Sequence, residues 1–229
     1  GRTHGGGAGV AGIVAETRSS LAGLRCLSLL AAMTPAPAFA GAWIAPEGGQ
    51  TISTEIAGQR DEQFYSESTF YIEAPVSETL AIVASPWVTA DSSAYGLDAL
   101  RWEVTLAAKR ALLRTPLYVM ALQGGAVWYS DPMPGCGEVG AEARWLGGLA
   151  LGARGFANLE AAERASEGSC GGERVDFTLG YRPGERWLGL AQVFFDQPRR
   201  GEGSTKIQVS AVRFGDRGRG IQIGLRGRV

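Results

Sequence analysis

The residues LRWEVTLAAK, at positions 100–109, decide the fold class of this 229-residue chain. One alternate set of these residues is apolar: Leu100, Trp102, Val104, Leu106 and Ala108. The other set carries most of the polar groups: Arg101, Glu103, Thr105, Ala107 and Lys109. Because successive side chains of a β-strand point to opposite faces, this spacing predicts a strand with one apolar and one charged face. A helix would mix the two sets around its circumference.

The same period of two recurs along the chain after the glycine pair at 48–49. It is clear in five further segments: 64–73, 141–152, 175–182, 206–211 and 221–229. It is weaker in another five: 50–58, 79–89, 116–129, 156–165 and 186–196. Together with 100–109, these segments predict about eleven strands, and the turns rich in Gly and Pro between them indicate antiparallel neighbours.

Two architectures fit many amphipathic antiparallel strands. A soluble sandwich or barrel turns the apolar faces inward, whereas an outer-membrane barrel turns them toward lipid and lines its interior with charge. Strands near ten residues suit a tilted membrane crossing, while strands in globular proteins usually have about 5–6 residues. We therefore expect an all-β, antiparallel up-and-down transmembrane barrel of about 10–12 strands.

The polar faces carry both signs of charge, which can pair across strands inside a barrel. The residues predicted to line the lumen are Glu67, Glu73, Arg101, Glu103, Lys109, Glu142, Arg144, Glu160, Arg164, Asp176, Arg182 and Arg226. Aromatic residues near strand ends are the candidates for interfacial girdles: Trp87, Trp128, Tyr129, Tyr181, Trp187 and Phe195. Ordinary core filling is the alternative reading of these aromatics.

The connections between the predicted strands alternate in length. Short turns occur at 74–78, 153–155, 182–186 and 215–219, and longer loops at 58–63, 89–98, 130–140, 166–172 and 196–205. All the longer loops fall at one end of an up-and-down barrel. Cys136 and Cys170 lie in two neighbouring loops of that end, which makes a disulfide between them plausible in an exported protein. Two unpaired thiols are the alternative.

The segment before residue 41 has the features of a secretory signal. Residues 1–20 are rich in glycine and predict a disordered extension, and 21–40 contain Arg25, a short apolar run and the small-residue site Ala38-Phe39-Ala40. We expect cleavage near Ala40, with residues 41–229 as the barrel domain exported to the outer membrane. The apolar run has roughly 8 residues, too few for a membrane-spanning helix.

The predicted barrel domain lacks the residues that several kinds of catalysis and binding require. The one histidine, His4, lies before the predicted cleavage site, so the barrel domain has no residue for a Ser-His pair and no imidazole for zinc. There is no phosphate-binding loop or other cofactor motif, and a net charge of −1 without basic runs argues against nucleic acid as a partner. We expect a protein that is not an enzyme and that uses no cofactor or metal.

Four stretches resemble a family of small proteobacterial outer-membrane β-barrels that is grouped with the phenol-degradation meta-pathway barrels. They are GAW (41–43), FYIEAPVSETLAIVASP (70–86), LGYRPGERWLGLAQVFFD (179–196) and KIQVSAVRF (206–214). The resemblance implies an outer-membrane barrel with passive transport, and it brings no catalytic residues. Such barrels have an even number of strands and end on an aromatic residue. Because this chain ends on Val229 in about its eleventh strand, we expect that a closing C-terminal strand is missing.

These observations lead to one principal functional expectation and two alternatives. The principal one is a small channel or transport-type barrel with a charged, largely filled lumen, whose partners are outer-membrane lipid and small-molecule solutes. The first alternative is a structural or adhesion barrel that acts through its outer loops. The second is a soluble periplasmic β-barrel that binds an apolar ligand.

Overall fold

A computed structural model of the protein describes residues 41–60, 63–91, 100–130, 132 and 134–229. The predicted N-terminal extension (1–20) and signal peptide (21–40) lie outside the described residues, as do His4 and the cleavage site.

The described residues form eleven strands and contain no helix, which confirms the all-β class. The strands have 10 to 15 residues, long enough for the period of two to show in the sequence. Their bounds are β1 (Gln50–Arg60), β2 (Gln63–Ser77), β3 (Leu80–Asp91), β4 (Leu100–Arg114), β5 (Tyr118–Tyr129), β6 (Val139–Leu151), β7 (Gly155–Ser166), β8 (Cys170–Gly184), β9 (Trp187–Pro198), β10 (Ser204–Phe214) and β11 (Arg219–Arg228).

The strands form one closed barrel in which each strand pairs with its neighbour in sequence and β1 pairs with β11. Consecutive strands are antiparallel, but the closing pair is parallel, from Thr51 opposite Arg219 to Gln59 opposite Gly227. With an odd number of up-and-down strands, the first and last run in the same direction and can only pair in parallel. Closure of this barrel therefore does not require the further strand that the sequence led us to expect.

We call the two ends of the barrel the turn end and the loop end. The turn end holds the connections 78–79, 115–117, 152–154, 185–186 and 215–218, and the described connecting residues at the loop end are 130, 132, 134–138, 167–169 and 199–203. Two loops expected to be long, 58–63 and 166–172, are short because β1, β2, β7 and β8 extend into them. At the loop end, a disulfide joins Cys136 and Cys170, whose Cα atoms are 5.7 Å apart.

Most large apolar side chains of the strands face outward, and most charged side chains between the strand ends face inward. On β4, Trp102 and Leu106 are 42% and 48% exposed, whereas Lys109 is completely buried. The outer surface is apolar over most of the barrel, including Phe70, Ile82, Leu122, Leu149, Leu159, Phe177, Val209, Ile223 and Leu225. A polar strip on β1 and β2 interrupts it, where Glu55 accepts a hydrogen bond of 2.6 Å from Ser68.

Four of the six aromatics predicted for the girdles are exposed: Trp128, Tyr181, Trp187 and Phe195. The prediction is wrong for Trp87 and Tyr129. Trp87 shares the inner face of β3 with Val83 and Ser85, and Tyr129 falls on the inner face of β5 together with Val127. Position along a strand indicates height in the barrel, but the odd or even position within the strand decides the side.

The interior has an apolar half at the turn end. One cluster there consists of Ile52, Phe156, Leu188, Leu190 and Val212. A second consists of Ala42, Val119, Ala121 and Leu146. Trp43 packs against both clusters, so a residue from outside the strands joins the two parts of the core.

Candidate functional site

Residues 41–49, which we call the plug, enter the barrel at the turn end, with residues 41–45 at least partly buried and 46–48 exposed. Ala42 is completely buried and Ala45 nearly so. The ring of Trp43 packs edge-on against Phe156, with 6.0 Å between ring centroids. Gly148 on β6 makes room for this ring, because a Cβ atom at position 148 would collide with it. The plug therefore fills the turn-end part of the lumen.

A buried ion pair holds the plug by its backbone. Lys109 Nζ lies 2.6 Å from Glu73 Oε2 and donates to the carbonyl oxygens of Gly41 (3.1 Å) and Trp43 (2.8 Å). Glu73 Oε1 accepts a hydrogen bond of 2.8 Å from the Ala45 amide. The Tyr71 hydroxyl donates to Glu73 Oε2 and lies 3.2 Å from Lys109 Nζ. Both charges are thus satisfied by each other and by the plug.

Toward the loop end, a larger ionic network lines the lumen, and Arg144 on β6 is at its centre. Its guanidinium contacts Glu142 at 3.1 Å, Glu160 at 2.7 Å and Asp176 at 3.6 Å. Arg164 on β7 lies 2.5 Å from Glu142 and 2.9 Å from Glu103. Acidic and basic side chains therefore alternate across β4, β6, β7 and β8.

The network continues on β8, β9 and β10. Arg174 contacts Asp176 at 2.8 Å and Asp196 at 3.6 Å, and Asp196 also pairs with Lys206 at 3.2 Å. The guanidinium of Arg174 lies 5.3 Å from the centroid of the Phe194 ring.

Arg226 on β11 closes the charged ring around the lumen. It forms an ion pair with Glu67 on β2 and donates to Gln208 Oε1 at 2.9 and 2.7 Å. Its guanidinium also lies 5.0 Å from the Phe194 ring centroid. Gln208 in turn donates to Gln192, and Gln192 to Thr178. Side-chain hydrogen bonds thus run from Glu67 on β2 through Arg226, Gln208 and Gln192 to Thr178 on β8.

Above the plug lies a cavity of about 670 Å³, whose lining runs from Gly41 to Glu202 and Ser204 at the loop end. One wall carries the ionic network. The wall formed by β2 to β5 includes uncharged polar side chains: Thr69, Ser85, Trp87, Thr105 and Gln123. The lumen is therefore a polar cup that the plug and the apolar clusters close from below.

The structure places the predicted lumen charges in four groups. The cavity lining contains Glu67, Glu103, Glu142, Arg144, Glu160, Arg164 and Arg226. Asp176 belongs to the same ionic network, and Glu73 and Lys109 hold the plug. Arg182 lies nearer the turn end, 5.1 Å from the Phe214 ring. Arg101 is exposed at the loop end of β4, outside the cavity lining.

The sequence analysis missed three charges of the network: Arg174, Asp196 and Lys206. Arg174 shares a strand face with Asp176, which was predicted to line the lumen; Asp196 shares one with Gln192, and Lys206 with Gln208. Arg174 and Asp196 fell at or beyond the ends of the predicted strands. Extending the segment 175–182 by one residue would have added Arg174, and assigning faces throughout 186–196 and 206–211 would have added Asp196 and Lys206.

Among the described residues, no group of three or more His, Cys, Asp or Glu side chains is placed to hold a metal ion. In the same part of the chain, no helix is long and apolar enough to cross a membrane. Comparison of the chain with protein-family models, with curated proteins and with solved structures finds no match.

Proposed function

We propose that the protein is an outer-membrane β-barrel of the transport type, with a charged and largely filled lumen. The observation that supports this most directly is the reversed polarity of the strands: Trp102 and Leu106 face out while Glu103 and Lys109 face in. In water this arrangement would expose a broad apolar surface while burying charges such as Glu73, Lys109 and Glu142. In a bilayer the same surface meets acyl chains, and the charges pair in the interior.

The dimensions and closure of the barrel are compatible with a membrane. A tilted strand needs about 9–11 residues to cross the hydrocarbon layer, and the eleven strands have 10 to 15. The parallel pairing of β1 with β11 removes the unpaired edges, which lipid does not tolerate because it cannot hydrogen-bond to free backbone groups. The hydrogen bond from Ser68 reduces the cost of exposing Glu55 on the outer face.

The filled lumen determines what kind of transport is compatible with this barrel. The plug and two apolar clusters close the turn end, while the cavity reaches the loop end. A solute that enters from the loop end can cross only if residues 41–49 move. We therefore expect little conductance from the resting barrel and more from a barrel whose plug is weakened.

The same filled lumen favours a second candidate, a structural barrel that acts through its loop end. Single-channel recording separates the two. Wild-type protein and Trp43→Ala protein are refolded and inserted into planar bilayers, with Trp187→Ala as an outward-facing control. Larger or more frequent openings in Trp43→Ala alone support transport, whereas silence in all three, with folding intact, supports the structural role.

Membrane location is tested first, by cell fractionation and by gel migration with and without boiling. A detergent-dependent protein of the outer-membrane fraction, whose migration shifts on boiling, is the expected result. Mature protein that is soluble without detergent would contradict both membrane functions. It would instead support the alternative of a soluble, ligand-binding barrel.

A further inference from the structure

We propose that the lumen binds a small, uncharged, polyhydroxylated solute of mono- or disaccharide size against the wall made by Thr69, Ser85, Trp87, Thr105 and Gln123. We call these five residues the neutral wall. The proposal deepens the proposed transport function and rests on it, because it names the class of solute that the cup would accept.

The first argument is the hydrogen-bonding state of the neutral wall. Among the described residues, none offers a hydrogen-bond partner to the hydroxyls of Thr69, Ser85 and Thr105, the indole N–H of Trp87 or the amide of Gln123. These groups line the cavity, and Thr105 is only 6% exposed. Thr105 is buried and the other four side chains are partly buried, so their unused donors and acceptors face the cavity and are available to a polar ligand.

The second argument is that four of these groups lie together, whereas Gln123 lies nearer the turn end, opposite Lys109 on β4 and Arg144 on β6. Ser85 on β3 is directly opposite Thr105 on β4, and Trp87 on β3 is opposite Thr69 on β2. Thr69 thus flanks Trp87 on the β2 side, and the Ser85–Thr105 pair lies two residues further along β3 and β4, while Glu103 is the direct β4 neighbour of Trp87. Apolar C–H faces of a sugar stack on such a ring while its hydroxyl groups reach the flanking side chains.

The third argument concerns charge. Each carboxylate of the ionic network lies within 3.6 Å of an arginine or lysine nitrogen: Glu67, Glu103, Glu142, Glu160, Asp176 and Asp196. A charged solute that binds within this network would have to break one of these pairs and leave a buried partner behind. An uncharged hydroxylated solute can use the remaining groups without disturbing them. A purely apolar solute would leave the neutral wall unpaired.

The volume agrees with this class. The cavity of about 670 Å³ falls within the range of roughly 300–1,000 Å³ that is usual for small-molecule sites. A monosaccharide fits with water to spare, and a disaccharide fits with little.

The experiment uses the full chain folded in detergent micelles and saturation-transfer NMR. The probes are D-glucose, sucrose, phenol, L-lysine and L-glutamate. We expect saturation transfer to the two sugars and little to phenol or the amino acids. Transfer to phenol or to a charged amino acid, without transfer to either sugar, would overturn the proposal.

Two variants remove hydrogen-bonding atoms while preserving shape: Thr105→Val and Trp87→Phe. Each has a control on the outer face, Ser66→Ala and Trp102→Phe. We expect the neutral-wall variants to weaken sugar binding at least fivefold and the controls to leave it unchanged. Ser85→Ala serves in place of either variant if that variant does not fold. Equal binding by wild type and all neutral-wall variants would show that the sugars bind elsewhere.

The two levels of the proposal fail separately. A barrel that shifts on boiling and fractionates with the outer membrane, but binds neither sugar, refutes the solute class and leaves the transport function standing. Sugar binding by a protein that is soluble without detergent supports the neutral wall and refutes the membrane function.

Discussion

Lys109 Nζ and Glu73 Oε2 lie 2.6 Å apart, although their strands β4 and β2 are separated by β3. The lysine side chain reaches across Ala81, its direct neighbour on β3, which is small and completely buried. The pair therefore spans three strands and presents its charges to the backbone of residues 41–45. Sequence, strand register and a small residue at 81 together position the plug.

Replacing Lys109 by methionine should release the plug and destabilise the barrel. The change leaves Glu73 as a buried, unpaired carboxylate, a situation that typically costs about 3–5 kcal/mol. Urea denaturation in detergent measures the free energy of unfolding, and limited proteolysis reports exposure of residues 41–49. Arg110→Met, at the next and exposed position of β4, is the control and should change neither. The double variant Lys109→Met/Glu73→Gln should recover part of the loss; if it is worse than the single variant, the pair does not act as described.

Trp43→Ala should weaken the plug through packing rather than charge. The indole contacts both apolar clusters but is only partly buried, so its truncation should cost less than the ~3–5 kcal/mol typical of a fully buried aromatic residue. Bilayer recording should show larger or more frequent openings, because the turn end is then less filled. Gly148→Leu, which places a side chain where the Trp43 ring lies, should have the same effect without altering the plug sequence. Normal conductance in Gly148→Leu would contradict this account.

Arg144→Gln should be among the most disruptive changes in the lumen. Three carboxylates, Glu142, Glu160 and Asp176, would lose a shared cation. The free energy of unfolding should therefore fall by more than about 3 kcal/mol. Adding Glu160→Gln should restore part of the stability, since one unpaired charge disappears. Arg154→Gln, at an exposed turn, should have no effect on the unfolding midpoint. If Arg144→Gln shifts the unfolding midpoint as little as Arg154→Gln does, water already solvates the network.

Leu106→Arg tests the lipid-facing surface. At mid-height of a membrane barrel the arginine should cost about 2–4 kcal/mol of folding stability, and at the rim only about 0–1 kcal/mol. Val139→Arg, at the first residue of β6 near the loop end, is the matched rim substitution. Refolding into lipid vesicles over a urea series gives both values. If Leu106→Arg is neutral and improves solubility without detergent, the outer surface faces water.

The disulfide should stabilise both the loop end and the folded protein as a whole. Cys136 and Cys170 are separated by 34 positions, and closing a loop of that size in the unfolded chain contributes about 3–4 kcal/mol in the chain-entropy model. Reduction, or Cys136→Ser together with Cys170→Ser, should lower the urea midpoint. Conductance should be unchanged, because the bridge lies at the opposite end from the plug. A change in conductance on reduction would place the gate at the loop end.

Alternation was sufficient to predict the strands and the sides of the barrel on which most side chains lie. LRWEVTLAAK is the clearest case: Trp102 and Leu106 lie outside and Glu103 and Lys109 inside, as a period of two requires. Position alone misled the assignment of Trp87, which lies near a strand end but on the inner face. The even or odd position within a strand is the stronger signal.

The plug could not be predicted in this way. GAW at 41–43 has no periodic pattern, and its burial depends on Lys109, Glu73 and Gly148, which are distant in sequence. Lys109 was recognised as lumenal, but its partner could not be identified, because reach across β3 depends on the size of Ala81. Contacts between strands that are not neighbours leave no local pattern in a sequence.

The parallel pairing of β1 with β11 determines the order in which the molecule can assemble. Every other strand pair can form as a hairpin as soon as two consecutive segments are present. The pair of β1 with β11 can form only after the segment that begins at Arg219 is present. Bringing such distant segments together has the largest loop-closure cost in the chain. Docking of this last pair is therefore the natural slow step of biogenesis, and the line along β1 and β11 is where a nascent, still open sheet would expose its edges to assembly factors.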